Sequence, residues 1–309
     1  MVLNQFGVID VHGDDATSFL HAQLTNDIQS LGVGSAQLAG FCSPKGRLLA
    51  TLLVWRAGNA MRILVSRDLV APLTKRLSMF ALRAKINLIN TTDHLTVVGF
   101  AGNVYVALLQ CFEMLPEKAR AKIDASCGEL IRMSDVNNLP RFLWVGPKAT
   151  IEAKIATLDA THHMRKVEPA LWDWLDIHAG EPRVNAATSE QFVPQMINFE
   201  LIGGISFRKG CYPGQEIIAR CQYRGTIKRR MVLAHATQAH AGVEVFHSEH
   251  SGQPCGMVVN SSSAPKGGVD CLVQLQLSAL DTGSIHIGSP FGPLLIFPVT
   301  PRFVYDELL

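Results

Sequence analysis

The stretch Ser206-Phe207-Arg208-Lys209-Gly210-Cys211-Tyr212-Pro213-Gly214-Gln215-Glu216, running on through Arg220 and Cys221 to Lys228-Arg229-Arg230, decides how this chain is read. It sets one thiol, Cys211, just before a turn that leads into a short helical segment, residues 215–221. Seven cations (Arg208, Lys209, Arg220, Arg224, Lys228, Arg229 and Arg230) stand here against one acid, Glu216, while the whole chain carries a net charge of only +2. The density is therefore local. A thiol beside cations and a helix N-terminus holds its thiolate more easily, so Cys211 is expected to be the reactive group. Lys209 and Arg220 are expected to lower its pKa or to bind an anion.

Outward from this stretch, the composition bounds the answer. The chain has 309 residues, enough for two or three domains, and at 48% hydrophobic and 17% charged residues it reads as compact and ordered. The near-neutral balance gives no global case for nucleic-acid binding, so any polyanion site must be local. Seven cysteines lie scattered without a CxxC or a zinc-like Cys/His spacing. The opening residues lack a signal-peptide pattern, and no apolar run approaches the roughly 20 residues that span a bilayer. The reading is a reducing, cytoplasmic compartment with free thiols.

The periodicity predicts an α+β chain. Residues 8–11 read as a strand. Ala16, Phe19, Leu20, Leu24, Ile28 and Leu31 read as the buried face of one helix. Residues 48–55 and 61–65 flank a hairpin turn, and Leu69, Val70, Leu73, Leu77, Phe80 and Leu82 mark a second helix. Strands are expected at 95–100 and 141–145, and helices at 104–114, 150–158 and 170–178. Beyond Arg230 the texture changes. Short strand-like runs at 231–235, 243–247, 255–260, 271–277, 284–287 and 294–297 are separated by Gly, Ser and Pro, as in a small antiparallel barrel. The boundary is placed near Gly225: residues 1–224 as two ferredoxin-like α+β subdomains, and residues 225–309 as the barrel.

Several features admit a plain reading beside a functional one. Glu216 and Arg220, four apart with the acid first, read first as helix support and only then as ligand orientation. Cys221 reads as a packed thiol. Basic runs are most often solvated faces, although Phe207, Tyr212 and Tyr223 among the cations suit a planar anion. His162-His163 and His247…His250 are pairs without a third ligand, so no metal is expected. Ser43-Pro44-Lys45-Gly46-Arg47 reads as a turn. Trp172 and Trp174 fall on opposite sides of their helix, which leaves room for at least one to face a cavity, although for a lone Trp the core reading usually wins.

These residues carry a family resemblance. Lys209-Gly210-Cys211-Tyr212-Pro213-Gly214-Gln215-Glu216 with Arg220 resembles the K-G-C-Y-x-G-Q-E motif of YgfZ proteins, folate-binding relatives of the glycine-cleavage T-protein. Gly13-Asp14-Asp15-Ala16 with Gln23-Leu24-Thr25-Asn26-Asp27, the turn at Pro44-Lys45-Gly46-Arg47, and Trp172 with Gly180-Glu181-Pro182 agree in order. The match covers nearly the whole chain and is weakest toward its C-terminal end.

The resemblance implies ferredoxin-like α+β domains with a C-terminal β-barrel, and tetrahydrofolate in a central cavity. It implies an accessory protein that supports assembly or repair of iron–sulfur enzymes and so affects tRNA modification, with those enzymes as partners and a monomer as the working form. Neither a membrane nor direct nucleic-acid binding is implied. By position, Phe6, Trp172, Asn198, Tyr212, Gln215 and Glu216 are expected at the folate, with Cys211, Lys209 and Arg220 as the chemical groups. The alternative is a folate-dependent aminomethyltransferase. Met196 stands where T-protein-like relatives place a pterin-holding Glu, and no acid replaces the one that T-proteins set near the folate N10. Whether the chain is an enzyme is left open. A plain RNA-binding module is the third reading.

Overall fold

The computed structural model describes residues 1–162, 164–225, 227–250 and 252–298. His163 and Thr226, both in stretches read above, lie outside the described residues, as does the chain after residue 298. In order, the elements are β1 (Phe6–His12), α1 (Ala16–Gln23), β2 (Ala36–Cys42), β3 (Leu48–Ala57), β4 (Ala60–Ser66), α2 (Val70–Phe80), β5 (Asn87–Asn90), β6 (Leu95–Ala101), the single turn α3 (Tyr105–Leu108), β7 (Lys122–Ala125), β8 (Gly128–Val136), β9 (Leu139–Pro147) and α4 (Lys148–His162). Then come α5 (Pro169–Ala179), α6 (Gln215–Tyr223), β10 (Arg229–Ala236), β11 (Glu244–His247), β12 (Pro254–Ser263), β13 (Val269–Gln276) and β14 (Ile285–Ile287). Helices and antiparallel sheets mix as expected: the fold class is α+β.

By contact the chain divides into two compact units. One joins Met1–Ala39 to Leu52–Trp172, and the other joins Gly40–Thr51 to the chain from Asp173 onward. Gly225, read as the boundary, lies inside the second unit. The reason is local bonding: the Asn198 amide holds the backbone of Met231 on β10, and Gln195 holds α6.

Two sheets run in the orders β2-β3-β4-β1-β5 and β6-β9-β8-β7. The β3–β4 hairpin turns on Gly58-Asn59, and Gly58 at φ +55° gives the positive φ that so short a turn requires. In the first unit, Arg62 on β4 forks onto both oxygens of Asp10 on β1 at 2.7 and 2.8 Å, and onto both oxygens of Glu129 on β8 at 2.8 and 2.9 Å. Removing one member would leave a charge buried without its partner, so the triad fixes which strands face each other. Phe100, Phe112, Phe142 and Trp144 form an apolar cluster with Leu158 of α4. The Trp144 indole N–H is satisfied by the Cys127 carbonyl at 3.0 Å.

Three sequence-based expectations change. The helix read through Leu31 stops at Gln23. Asn26 donates to the Leu38 carbonyl at 2.7 Å and Asp27 accepts from the Ser30 N–H at 3.2 Å, so short polar side chains offer the backbone partners outside the helix. Leu24, Ile28 and Leu31 are still buried. The periodicity had reported burial rather than helix. α2 ends at Phe80, which is exposed, and Leu82 beyond it is 89% exposed. At 104–114 only α3 forms. Bonds from Gln110 N–H to Ala107 O and from Cys111 N–H to Leu108 O tighten the chain out of the α path.

The five C-terminal strands run β10-β13-β12-β11-β14. Residues 293–296 then reach both edge strands of the sheet. His235 on β10 and Ile296 exchange both backbone bonds at 2.8 Å, Leu295 donates to Ile285 at 2.8 Å, and Ile287 donates to Pro293 at 2.9 Å. The run read as a sixth strand is this bridging segment. Inside lie Val232, Val245, Val258, Cys271, Val273 and Leu275, at most 2% exposed. The sheet with this segment forms a curled half-barrel, and the segment meets each edge strand at one bridge, His235–Ile296 on β10 and His286–Leu294 on β14.

Candidate functional site

The Cys211 loop is built in the second unit from two segments far apart in sequence. The first is the turn 43–47, where Gly46 N–H donates to Ser43 O at 2.9 Å and Ser43 N–H to Arg47 O at 2.8 Å. The second is the lead-in to α6. Gly46 has φ +70° and Gly214 has φ +82°, conformations that a side chain resists. A Cβ on Gly214 would stand 2.5 Å from Ser43 O and 2.7 Å from Gly46 Cα, and a Cβ on Gly46 would stand 2.9 Å from Ile217 Cβ. The glycines are required because the two backbones touch. Arg47 adds a bond from its guanidinium to Gln191 O.

Behind the loop, Tyr212 is buried at 7% exposure. Burial, reinforced by the Cys42 thiol nearby, pushes its phenol pKa up. The ammonium of Lys209, itself buried, lies 4.8 Å from the Tyr212 ring centroid, a cation over an aromatic face. α6 is held from behind by Gln195, whose Nε2 donates to Ile218 O at 2.9 Å. Arg230 bonds Gln195 O at 3.0 Å and pairs with Glu200, whose carboxyl burial pushes up in pKa while Arg230 pulls it back.

On this frame Cys211 is exposed. Of the seven cysteines, all among the described residues, four are buried and Cys111 and Cys221 are half-buried. Burial pushes the Cys271 thiol up to about 12 and the Cys42 thiol higher still. Cys211 is thus the one thiol of the seven that is exposed.

The remaining expected groups fall as follows. Arg220 is turned to Glu216 at 2.9 Å, both side chains being largely exposed: the surface pair that the spacing suggested. Gln215 is the first residue of α6. Asn198, in the left-handed region at φ +57°, spends both ends of its amide on Met231, donating to its carbonyl at 2.9 Å and accepting from its N–H at 3.3 Å. The seven cations do not form one open strip. Lys209 lies on Tyr212, Arg229 donates to Cys255 O at 3.3 Å, and Arg230 faces Glu200. Phe207 and Tyr223 meet edge to face at 5.9 Å.

In the first unit, Trp172 is sealed at 0% exposure. It packs on Gly99, where a Cβ would meet its ring at 2.3 Å, and it lies under the Arg141 guanidinium at 5.1 Å. Core packing, not a cavity, takes this side chain. Phe6 lines a cavity of about 730 Å3, with Val8, Val97 and Ile151 as apolar walls and Arg67 and Lys148 as cations. Trp174 and His178, in the second unit, meet Asp270: the indole N–H at 2.7 Å and the imidazole Nε2 at 2.8 Å share one oxygen, while His235 holds the other at 2.7 Å. Sequence reading missed this cluster because its members lie on α5, β10 and β13. It also missed Glu249, which stands with the pair His247 and His250 that had looked short of a third ligand.

The chain is 31% identical over 234 residues to the tRNA-modifying protein YgfZ of Escherichia coli, covering 75% of this chain and 70% of the relative. The protein of the same name from Shigella flexneri matches to the same extent. The crystal structure of glycine cleavage system aminomethyltransferase T from Bartonella henselae matches with a TM-score of 0.77 over 96% of this chain and 84% of that one, at 15% identity, a likeness of fold alone. No family model matches the chain.

Proposed function

This chain belongs to the YgfZ family, and on that premise we propose that it is a tetrahydrofolate-binding accessory protein for iron–sulfur enzymes, acting on tRNA modification through them, with Cys211 as its working group. The observation that carries the reading is one exposed thiol beside a turn braced by two touching glycines, while four of the other six thiols are buried and two are half-buried. Buried Tyr212, with Lys209 on its ring, and the touching glycines brace the backbone on the C-terminal side of Cys211. A loop so braced presents a thiol to a partner without ordering cost at the moment of contact.

The residues present fit a folate at Phe6. The cavity there has the volume of a cofactor site, Phe6 is among its apolar lining, and Lys148, with Arg67 beside its partner Asp93 at 3.3 Å, supports an anionic tail there, while Glu152 adds a second acid to the wall. Trp172 does not contribute, being sealed in the core. When bound, tetrahydrofolate supplies a reduced one-carbon carrier. The apolar side chains and the cations that line this cavity would orient it.

Cys211→Ala is the test. Titration with tetrahydrofolate by tryptophan fluorescence is expected to give the same affinity as wild type. Cells that depend on this protein are expected to lose activity of an iron–sulfur tRNA-modifying enzyme when they carry the variant. Full activity in those cells would overturn the role of the thiol. Absence of tetrahydrofolate binding in both proteins would overturn the folate.

A further inference from the structure

β11 ends at His247, and there His247, Glu249 and His250 converge. One ring nitrogen from each histidine and one carboxylate oxygen lie within 4.8 Å of one another. We infer that this turn binds one divalent first-row cation of the zinc class.

The argument rests on how the three groups are braced. His247 is buried at 2% exposure, and its Nε2 lies 2.7 Å from Thr282 O. Its Nδ1 accepts the Glu249 N–H at 3.1 Å. The tautomer follows: Nε2 carries the proton and donates to the carbonyl, and the Nδ1 lone pair is held by the Glu249 N–H until a cation takes its place. A histidine that ligates a metal is held in this way, with its other N–H on a backbone carbonyl. Thr282 braces the carboxylate too, because its hydroxyl donates to Glu249 Oε2 at 3.2 Å. The His250 ring stacks on His247 with centroids 5.2 Å apart and planes 24° apart. Gly283, at φ +64°, makes room: a Cβ there would lie 2.6 Å from the His247 ring.

Glu249 and His250 are exposed, so a cation enters from solvent and displaces only the 3.1 Å contact at Nδ1. Two imidazoles and one carboxylate are a donor set for Zn2+, shared by Co2+, Ni2+ and Cu2+ and poorly suited to Mg2+ or Ca2+. Three protein ligands leave a position for water.

The experiment uses chelator-treated protein, titrated with Zn2+ by calorimetry and with Co2+ by its visible ligand-field bands. The exposed Cys211 is a competing zinc ligand, so Cys211→Ser is measured in parallel. One ion per chain is expected in wild type and in Cys211→Ser, with Mg2+ in excess failing to displace it. His250→Ala and Glu249→Gln, both at exposed positions, are expected to weaken binding about tenfold or more while circular dichroism stays unchanged. Absence of binding, loss of binding in Cys211→Ser, or wild-type affinity in both turn variants would each overturn the site.

Discussion

Gly214 and Gly46 press backbone to backbone: a Cβ added to Gly214 would stand 2.7 Å from the Gly46 Cα. This contact joins residues 168 positions apart and seats the loop that carries Cys211. Both glycines hold positive φ, so side chains are refused twice, by conformation and by space.

Gly214→Ala is therefore expected to cost about 2 kcal/mol or more, the left-handed penalty of about 1–2 kcal/mol plus the clash. Gly58→Ala is the control. It also has positive φ, yet nothing lies within 4 Å of its added Cβ, and about 1 kcal/mol is expected. Urea unfolding of the two variants measures the difference, and equal costs would show that the backbone contact contributes nothing.

Alkylation at neutral pH is expected to modify Cys211 first of the seven thiols, with Cys42 and Cys271 last, because burial raises their pKa values and blocks the reagent. Peptide mapping of the time course reads the order. Uniform modification would mean that the loop is not a distinct presentation of the thiol.

Phe6→Ala is expected to weaken tetrahydrofolate binding roughly tenfold, about 1.4 kcal/mol. Trp172→Phe is expected to leave affinity unchanged and to lower the melting temperature, since its ring fills the core against Gly99. The opposite pattern would move the ligand away from the cavity at Phe6.

Asp270 supplies a pH dependence. Burial acts to raise its pKa, but hydrogen bonds from His178, His235 and Trp174 outweigh it, and the net shift is downward. An acid whose folded pKa is depressed gives stability that is complete above its unfolded value, about 3.9, and is lost as pH falls through the folded pKa. The stability gap between wild type and Asp270→Asn is thus expected to be full at pH 5 and to close below about pH 4. Chemical denaturation across that range is the measurement, and a gap that widened on acidification would reverse the assignment.

Much of this protein was legible in one dimension. The α+β class, the hairpin at Gly58, the helices α4, α5 and α6, and the barrel strands are all written in local patterns, because helix and strand periods depend on neighbours a few residues away. The run from Lys209 to Glu216 also named its family. Where polar side chains intervened, the pattern misled: Asn26 and Asp27 took the backbone out of a helix whose apolar residues kept their period.

What tertiary structure alone decided is where distant groups meet. No local rule brings Gly46 to Gly214, sets Asp270 between His178 and His235, or turns Arg230 inward to Glu200. Nor could a helical wheel tell that Trp172 would be sealed while Phe6 lines a cavity. Amphipathic spacing states that a side chain is buried, and only the packing of sheets and loops states against what.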